Sequence, residues 1–238
     1  MTHSFDEQNN STLIHFHQVT KTYPRTHTHA LRNVDFGIRQ GEFVYITGHS
    51  GAGKSTLLSL VLRRALPTEG FVSILGQDLS RVGTRKLPLL RRQIGTVFQD
   101  HRLLAGLSAV DNLVFVLRAT RSRGNLEQRA LTALRQVGLA HKRKAYPIEL
   151  SLGEQQRIAI ARALVTSPPI LLADEPTGNL DPDTGWEIFE LLNDINLQGT
   201  TVVVATHSRD LVDRLRHRTL VLRNGELVRD DSDGGYSL

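Results

Sequence analysis

Residues 48–55 read Gly-His-Ser-Gly-Ala-Gly-Lys-Ser and satisfy G-x-x-x-x-G-K-[ST], the loop whose backbone N–H groups wrap the phosphates of a nucleotide. Such a loop works only between a strand and a helix, and its flanks supply both. The apolar run Glu42-Phe-Val-Tyr-Ile-Thr47 predicts a buried strand, and residues 54–64 predict a helix. Gly48 opens the loop. His49, Ser50 and Ala52 fill it, and Thr56 carries it into the helix. Gly51 and Gly53 permit backbone angles that a side chain forbids, so successive N–H groups turn inward at phosphate oxygens. A helix beginning at Lys54 adds the positive end of its dipole. Lys54 itself reaches the β- and γ-phosphates, and the Ser55 hydroxyl is placed to ligate Mg²⁺. The chain is thereby constrained to an α/β fold with a parallel sheet, built to hold a nucleotide.

The remaining chemistry sits at predicted strand ends, where parallel sheets meet their ligands. Residues 94–98 predict a strand, with Gln99 directly after it, in reach of Mg²⁺ or an attacking water. The run Ile170-Leu-Leu-Ala-Asp-Glu175 predicts a buried parallel strand ending in two acids. Adjacent carboxylates repel unless they hold a cation or do chemistry. Beside a phosphate loop, Asp174 is therefore read as a Mg²⁺ ligand and Glu175 as the base that orients and deprotonates water. A strand over 201–205 delivers His207 to the same edge, aimed at the γ-phosphate. Ser151 and Glu154 make a capping box for a helix. That helix is either simply well capped, or its N-terminus also presents N–H groups and the Ser151 hydroxyl to a phosphate.

Residues 31–38 and 42–47, joined around Gln40-Gly41, predict a hairpin leading into the loop. Residues 13–19 predict another strand, ended by Lys21-Thr-Tyr-Pro24, and Tyr23 at its end is either an adenine platform or an ordinary half-buried tyrosine. Residues 111–118 and 126–137 have helical spacing with no strand between them, making 103–146 a helical insertion. Histidines 15 and 17, and 27 and 29, share strand faces. With no further ligand nearby in sequence they read as surface histidines. A hairpin over 220–228 turns at Asn224-Gly225, before a polar, glycine-containing tail from 230 to 238 expected to be mobile.

At 238 residues the chain makes one large domain, or a core with subdomains. No apolar run approaches the roughly 18 residues of a membrane helix, and the polar residues 1–11 do not form a secretory signal. The absence of cysteine rules out disulfides and thiolate metal sites and fits a reducing cytoplasm. A net charge of +5 suits nucleic acid, an anionic membrane surface or an acidic partner. The basic residues are spread over 81–92, 118–123, 142–144 and 209–218 without interleaved aromatics, so no nucleic acid partner is expected.

Phosphate loop, glutamine after a strand, capped Ser-x-Gly-Glu-Gln helix, double acid, Asn-Leu-Asp and strand-end histidine occur in the order of an ABC-type ATPase, which the chain resembles over nearly its whole length. The resemblance implies a P-loop (RecA-like) ABC nucleotide-binding domain, with an antiparallel β subdomain supplying Tyr23 for adenine and a helical subdomain over about 100–165. It implies ATP and Mg²⁺ as cofactors. It makes Gln99 the Q-loop residue, residues 151–155 the signature with Ser151, Gly153 and Glu154 at the nucleotide, Asp181 the D-loop acid and His207 the switch histidine. It implies an ATP-dependent head-to-tail homodimer in which Ser151 and Gly153 of one copy close over the loop of the other. Leu152 stands where the family's signature has a glycine, which implies slow basal turnover. Residues 98–104, Val110-Asp-Asn112 and 175–181 are most similar to the cell-division branch, implying an FtsX-like integral membrane partner and a peripheral place on the cytoplasmic membrane face. Branches that extract lipoproteins or export macrolides share the Gly-Asn-Leu-Asp loop.

Overall fold

The computed structural model describes residues 12–24, 28–232 and 234–235. It has two sheets. Strands β1 (Thr12–Tyr23), β2 (Thr28–Arg39), β4 (Glu69–Ile74) and β5 (Gln77–Asp78) form an antiparallel sheet in the order β2-β1-β4-β5. Strands β3 (Phe43–Thr47), β6 (Ile94–Val97), β7 (Ile170–Asp174), β8 (Thr201–Ala205), β9 (Arg218–Arg223) and β10 (Glu226–Asp231) form the second, in the order β10-β9-β3-β8-β7-β6. All its neighbours are parallel except the terminal β9–β10 hairpin.

The expected hairpin between 31–38 and 42–47 does not form. β2 pairs with β1, while β3 lies between β8 and β9 in the other sheet. The turn at Gln40-Gly41 carries the chain from one sheet to the next. The physical reason is burial: all five residues of β3 are buried, and a strand covered on both faces belongs inside a parallel sheet. Gln99 does follow a strand, β6, which is the edge strand of the parallel sheet. The second arm of the last hairpin runs on to Asp231, into the stretch read as tail. Residues 1–11 and His27, together with 233 and 236–238 of that tail, lie outside the described residues.

Helices cover the faces. α1 (Lys54–Val61) buries Leu57, Leu58, Leu60 and Val61 in the core between the two sheets. It is shorter than the expected 54–64, and Arg63 just beyond it has φ +47°. A short α2 (Leu87–Arg91) precedes β6. α3 (Ala109–Ala119), α4 (Leu126–Gln136) and α5 (Leu152–Leu164) make the helical insertion, and with α6 (Pro182–Leu197) and α7 (Arg209–Arg214) they close the opposite face of the parallel sheet. Each of α3, α4 and α5 starts at a side-chain cap: Ser108, Asn125 and Ser151.

Arg218 ties the two sheets together. Its guanidinium donates to Gly37 O at 2.8 Å and Glu42 Oε2 at 2.9 Å, and grips the Asp230 carboxylate with two bonds of 2.8 and 2.7 Å. In the core of the parallel sheet the fully buried Tyr45 hydroxyl has no hydrogen-bond partner among the described residues, and burial pushes its pKa up. An unsatisfied buried hydroxyl destabilises the fold by at least about 1 kcal/mol. Tyr45→Phe is therefore expected to raise the melting temperature by about 2–4 °C in a thermal denaturation followed by circular dichroism.

Candidate functional site

Parallel register brings the site together. Ala205 on β8 is level with Ile46 on β3 and with Asp174 on β7, and Ala173 is level with Val97 on β6. The residues that follow these strands, which are the phosphate loop, His207, Glu175 and Gln99, therefore emerge along one C-terminal edge. Two glycines let the loop fit. A Cβ on Gly48 (φ +148°) would lie 2.4 Å from Leu222 O, and one on Gly53 (φ +113°) would lie 2.6 Å from Ala30 O. Gly53 caps α1, whose first turn holds no acid, so the helix's positive end stays uncompensated.

A cavity of about 630 Å³ opens over the loop, lined by Ala30, residues 49–56, Gln99, Glu175 and His207. Lys54 is buried, and its ammonium donates to Gly48 O at 2.7 Å and His49 O at 3.4 Å, with Glu175 Oε1 at 3.8 Å. Glu175 is held from several sides. Its N–H donates to Ala205 O at 2.8 Å, Oε2 accepts the His207 N–H at 3.3 Å, and Oε1 lies 2.9 Å from His207 Nδ1. Its φ of +46° is a strained conformation for a non-glycine residue, of a kind that concentrates at functional sites.

Asp174 faces a second cavity of about 200 Å³, which Ser55 also lines. Burial, then the neighbouring Glu175 charge, push the Asp174 carboxyl above its usual range. A cation there would relieve both effects, and a hydroxyl with a carboxylate is an oxygen donor set of the kind Mg²⁺ takes.

Other expected site residues lie apart from the phosphate-loop cavity. Ser151 caps α5, with Glu154 N–H donating to Ser151 Oγ at 3.2 Å and Ser151 N–H to Glu154 Oε2 at 2.9 Å. Gly153 packs where a Cβ would come 2.5 Å from Thr184 Cγ2. Asp181 caps α6 through Thr184 N–H at 3.0 Å, and hydrogen bonds from the Thr184 side chain and then its backbone hold the Asp181 carboxyl below the usual range. It lines an adjoining cavity of about 330 Å³ with Glu175 and His207. Tyr23 is half-exposed at the end of β1, with Lys21 Nζ 5.1 Å over its ring, and is not among the residues lining the loop cavity.

A family model described as ABC transporter matches residues 31–178. The chain belongs to the ABC transporter family. Curated relatives include the cell division ATP-binding proteins FtsE of Streptococcus pneumoniae (strain D39), 47% identical over 94% of this chain and 97% of the relative, and of Bacillus subtilis, 43% identical over 94% and 98%. The FtsE of Escherichia coli K12 is 45% identical over 90% and 97%. Among solved structures, the dimeric post-hydrolysis state of the ATP-binding cassette MJ0796 bound to ADP and Pi gives a TM-score of 0.83 at 38% identity, covering 94% of this chain and all of that one. The cassette cbiO1 of Clostridium perfringens gives 0.86 at 29% identity, covering 94% and 89%. The ABC fold and ATP-hydrolysing activity expected from the motifs are borne out.

In this ABC cassette, three residues given no role from the sequence organise the stretch around Gln99. Asn179 and Gln99 exchange hydrogen bonds, Gln99 Nε2 donating to Asn179 Oδ1 at 3.3 Å and Asn179 Nδ2 to the Gln99 backbone O at 3.2 Å. Arg162, on α5, donates to His101 O at 2.7 Å and also to Arg102 O. His101 is buried, which lowers its pKa, and it hydrogen-bonds the backbone of Leu152. The loop after β6 is thus pinned to the helix that starts at the signature. An arginine on a helix face otherwise made of alanine and isoleucine was the available signal for Arg162. His101 and Asn179 lie in the stretches 98–104 and 175–181 that carry the family resemblance, but nothing local shows what they contact. Among the described residues no helix is long and apolar enough to cross a membrane.

Proposed function

We propose that this chain drives a membrane complex of bacterial cell division, acting on an FtsX-like integral membrane protein from the cytoplasmic face. The observation that carries this reading is identity of 43–47% to cell division ATP-binding proteins across nearly the whole chain. The partner's cytoplasmic segment enters the groove of about 470 Å³ between β6, α2 and the helical insertion, bordered by Arg91, Phe98, Val116 and Arg162. Co-expression with an FtsX-like protein and detergent extraction is expected to co-purify the two. Recovery of the chain without that protein, with ATP binding intact, overturns the assignment.

Within the site, ATP lies with its triphosphate along residues 48–56 and its adenine on Tyr23. Lys54 exchanges loop carbonyls for β- and γ-phosphate oxygens. Ser55 and Asp174, with Gln99, hold Mg²⁺, which when bound neutralises phosphate charge. Glu175 accepts the proton of the attacking water, its carboxylate directed by His207, while the His207 imidazole faces the γ-phosphate.

Two copies then pair head to tail with ATP between them. Ser151, Gly153 and Glu154 of one copy meet the phosphates held by the other, and Asp181 lies at the seam. Two features support this reading: the exposed N-terminus of α5 lies outside the chain's own phosphate cavity, and the similar MJ0796 cassette is dimeric. Leu152, half-exposed as the first residue of α5, then stands beside the γ-phosphate and slows closure. Basal turnover by the isolated chain is low, and Leu152→Gly is expected to raise it several-fold in a steady-state phosphate-release assay. Equal rates for the two forms would remove Leu152 from the account.

A further inference from the structure

On the outer face of the antiparallel sheet three metal-ligating side chains converge away from the nucleotide. His15 and His17 lie two apart on β1, so the pleat sends both outward while Ile14 and Phe16 point into the core. Alongside on β2, Gly37 is opposite His15 and Phe36 opposite Phe16, and pairing resumes only at Val19 with Val34. His17 and Gln18 therefore face Asp35 alone. This is a β-bulge, with Gln18 at φ +46°, and such insertions re-aim neighbouring side chains. Here the Gln18 N–H donates to Asp35 Oδ2 at 3.1 Å and holds that carboxylate beside His17.

His17 Nδ1 and Asp35 Oδ2 are 3.5 Å apart. Two ligands on one tetrahedral ion, with bonds of about 2.0–2.1 Å, are separated by about 3.4 Å. The pair is thus too far apart for a hydrogen bond and already at the spacing of shared coordination. One donor atom from each of His15, His17 and Asp35 lies within 4.8 Å of the others, so ring rotation at His15 closes a gap of at most about 1.4 Å. Phe71, opposite His17 on β4, packs against that ring at 5.0 Å and meets His15 edge-on at 6.4 Å. The two imidazoles are restrained by an apolar wall. Gly37 puts no side chain over His15, where a Cβ would stand 3.9 Å from His15 Cδ2.

We propose that His15, His17 and Asp35 bind one divalent transition-metal ion of the zinc type, with the fourth position left to water or to a ligand from another molecule. Two imidazoles and one carboxylate suit zinc and its neighbours and disfavour Mg²⁺ and Ca²⁺, which take oxygen ligands. The site is separate from the Ser55–Asp174 pair, and none of its residues lines the phosphate-loop cavity. By linking β1 to β2 across a bulge, the ion strengthens the sheet at one of its register shifts and stabilises the folded chain by mass action.

The test is titration of the untagged, chelator-stripped chain with CoCl₂, read by visible absorption, and with ZnCl₂, read by calorimetry. The chain is expected to bind one equivalent of Co²⁺ with the intense visible bands of a tetrahedral site, displaced by Zn²⁺. The double variant H15Q/H17Q should lose that equivalent and its bands, and Asp35→Asn should bind with lower affinity. Binding of fluorescent ATP by every variant confirms folding, because the substituted side chains lie on the outer face. A double variant that binds the same number of ions with the same spectrum overturns the proposal, as does a parent chain that develops no tetrahedral bands.

Discussion

Glu175→Gln is expected to lower kcat by about 10²–10⁴-fold while ATP remains bound, the range that a lost general base costs. The substitution keeps the size of the side chain and its acceptor oxygen, so the approach of His207 N–H at 3.3 Å survives. What disappears is the ability to take a proton, together with the negative charge 3.8 Å from Lys54. Losing that charge removes repulsion against a triphosphate, so ATP affinity should hold or rise. In the paired form two uncleaved ATP molecules then keep the copies together. Sedimentation velocity with ATP should therefore find a dimer in the variant and a mostly monomeric parent that has consumed its nucleotide. Turnover matching the parent would remove Glu175 as the base.

Lys54→Ala is expected to act one step earlier, on binding itself. The ammonium is buried and makes a 2.7 Å bond to Gly48 O. When phosphate oxygens replace that carbonyl, each charge-assisted bond contributes about 1.5–3 kcal/mol, so its loss should weaken ATP by about 10- to 100-fold. Equilibrium binding of a fluorescent ATP analogue checks this. Because Lys54 also bonds the Gly48 and His49 carbonyls, some of the loss comes from a looser loop. Adenosine, which lacks phosphates, separates the two effects: its affinity should be nearly unchanged if the lost contact is to phosphate. Tight ATP binding by the variant would contradict the whole assignment of the cavity.

The phosphate loop, the double acid after β7, the histidine after β8 and the Ser151 capping box were all legible in the chain. Each is written within about eight consecutive residues, where backbone angle, helix start and strand end are decided locally. Gly53 needs a left-handed angle wherever the loop occurs, and Ser151 caps α5 whatever packs on it. The burial of β3 was legible too, but its partners were not. Nothing near Gln40 specifies that β2 turns back to β1 while β3 crosses to lie between β8 and β9.

Long-range register decided the rest. Sequence placed Gln99 at a strand end, but the 80 residues separating it from Asn179 hid the partner that holds it. Likewise the sequence placed His15 and His17 on one strand face but not beside Asp35, which another strand contributes across a bulge that only the pairing creates. The chain by itself determined where the phosphate-loop motif, the strand-end acids and the helix caps stand, since each of those patterns is local. The tertiary structure alone decided how those residues are braced and which distant side chains meet, because strand pairing and helix docking are set by the burial of whole faces rather than by any short stretch.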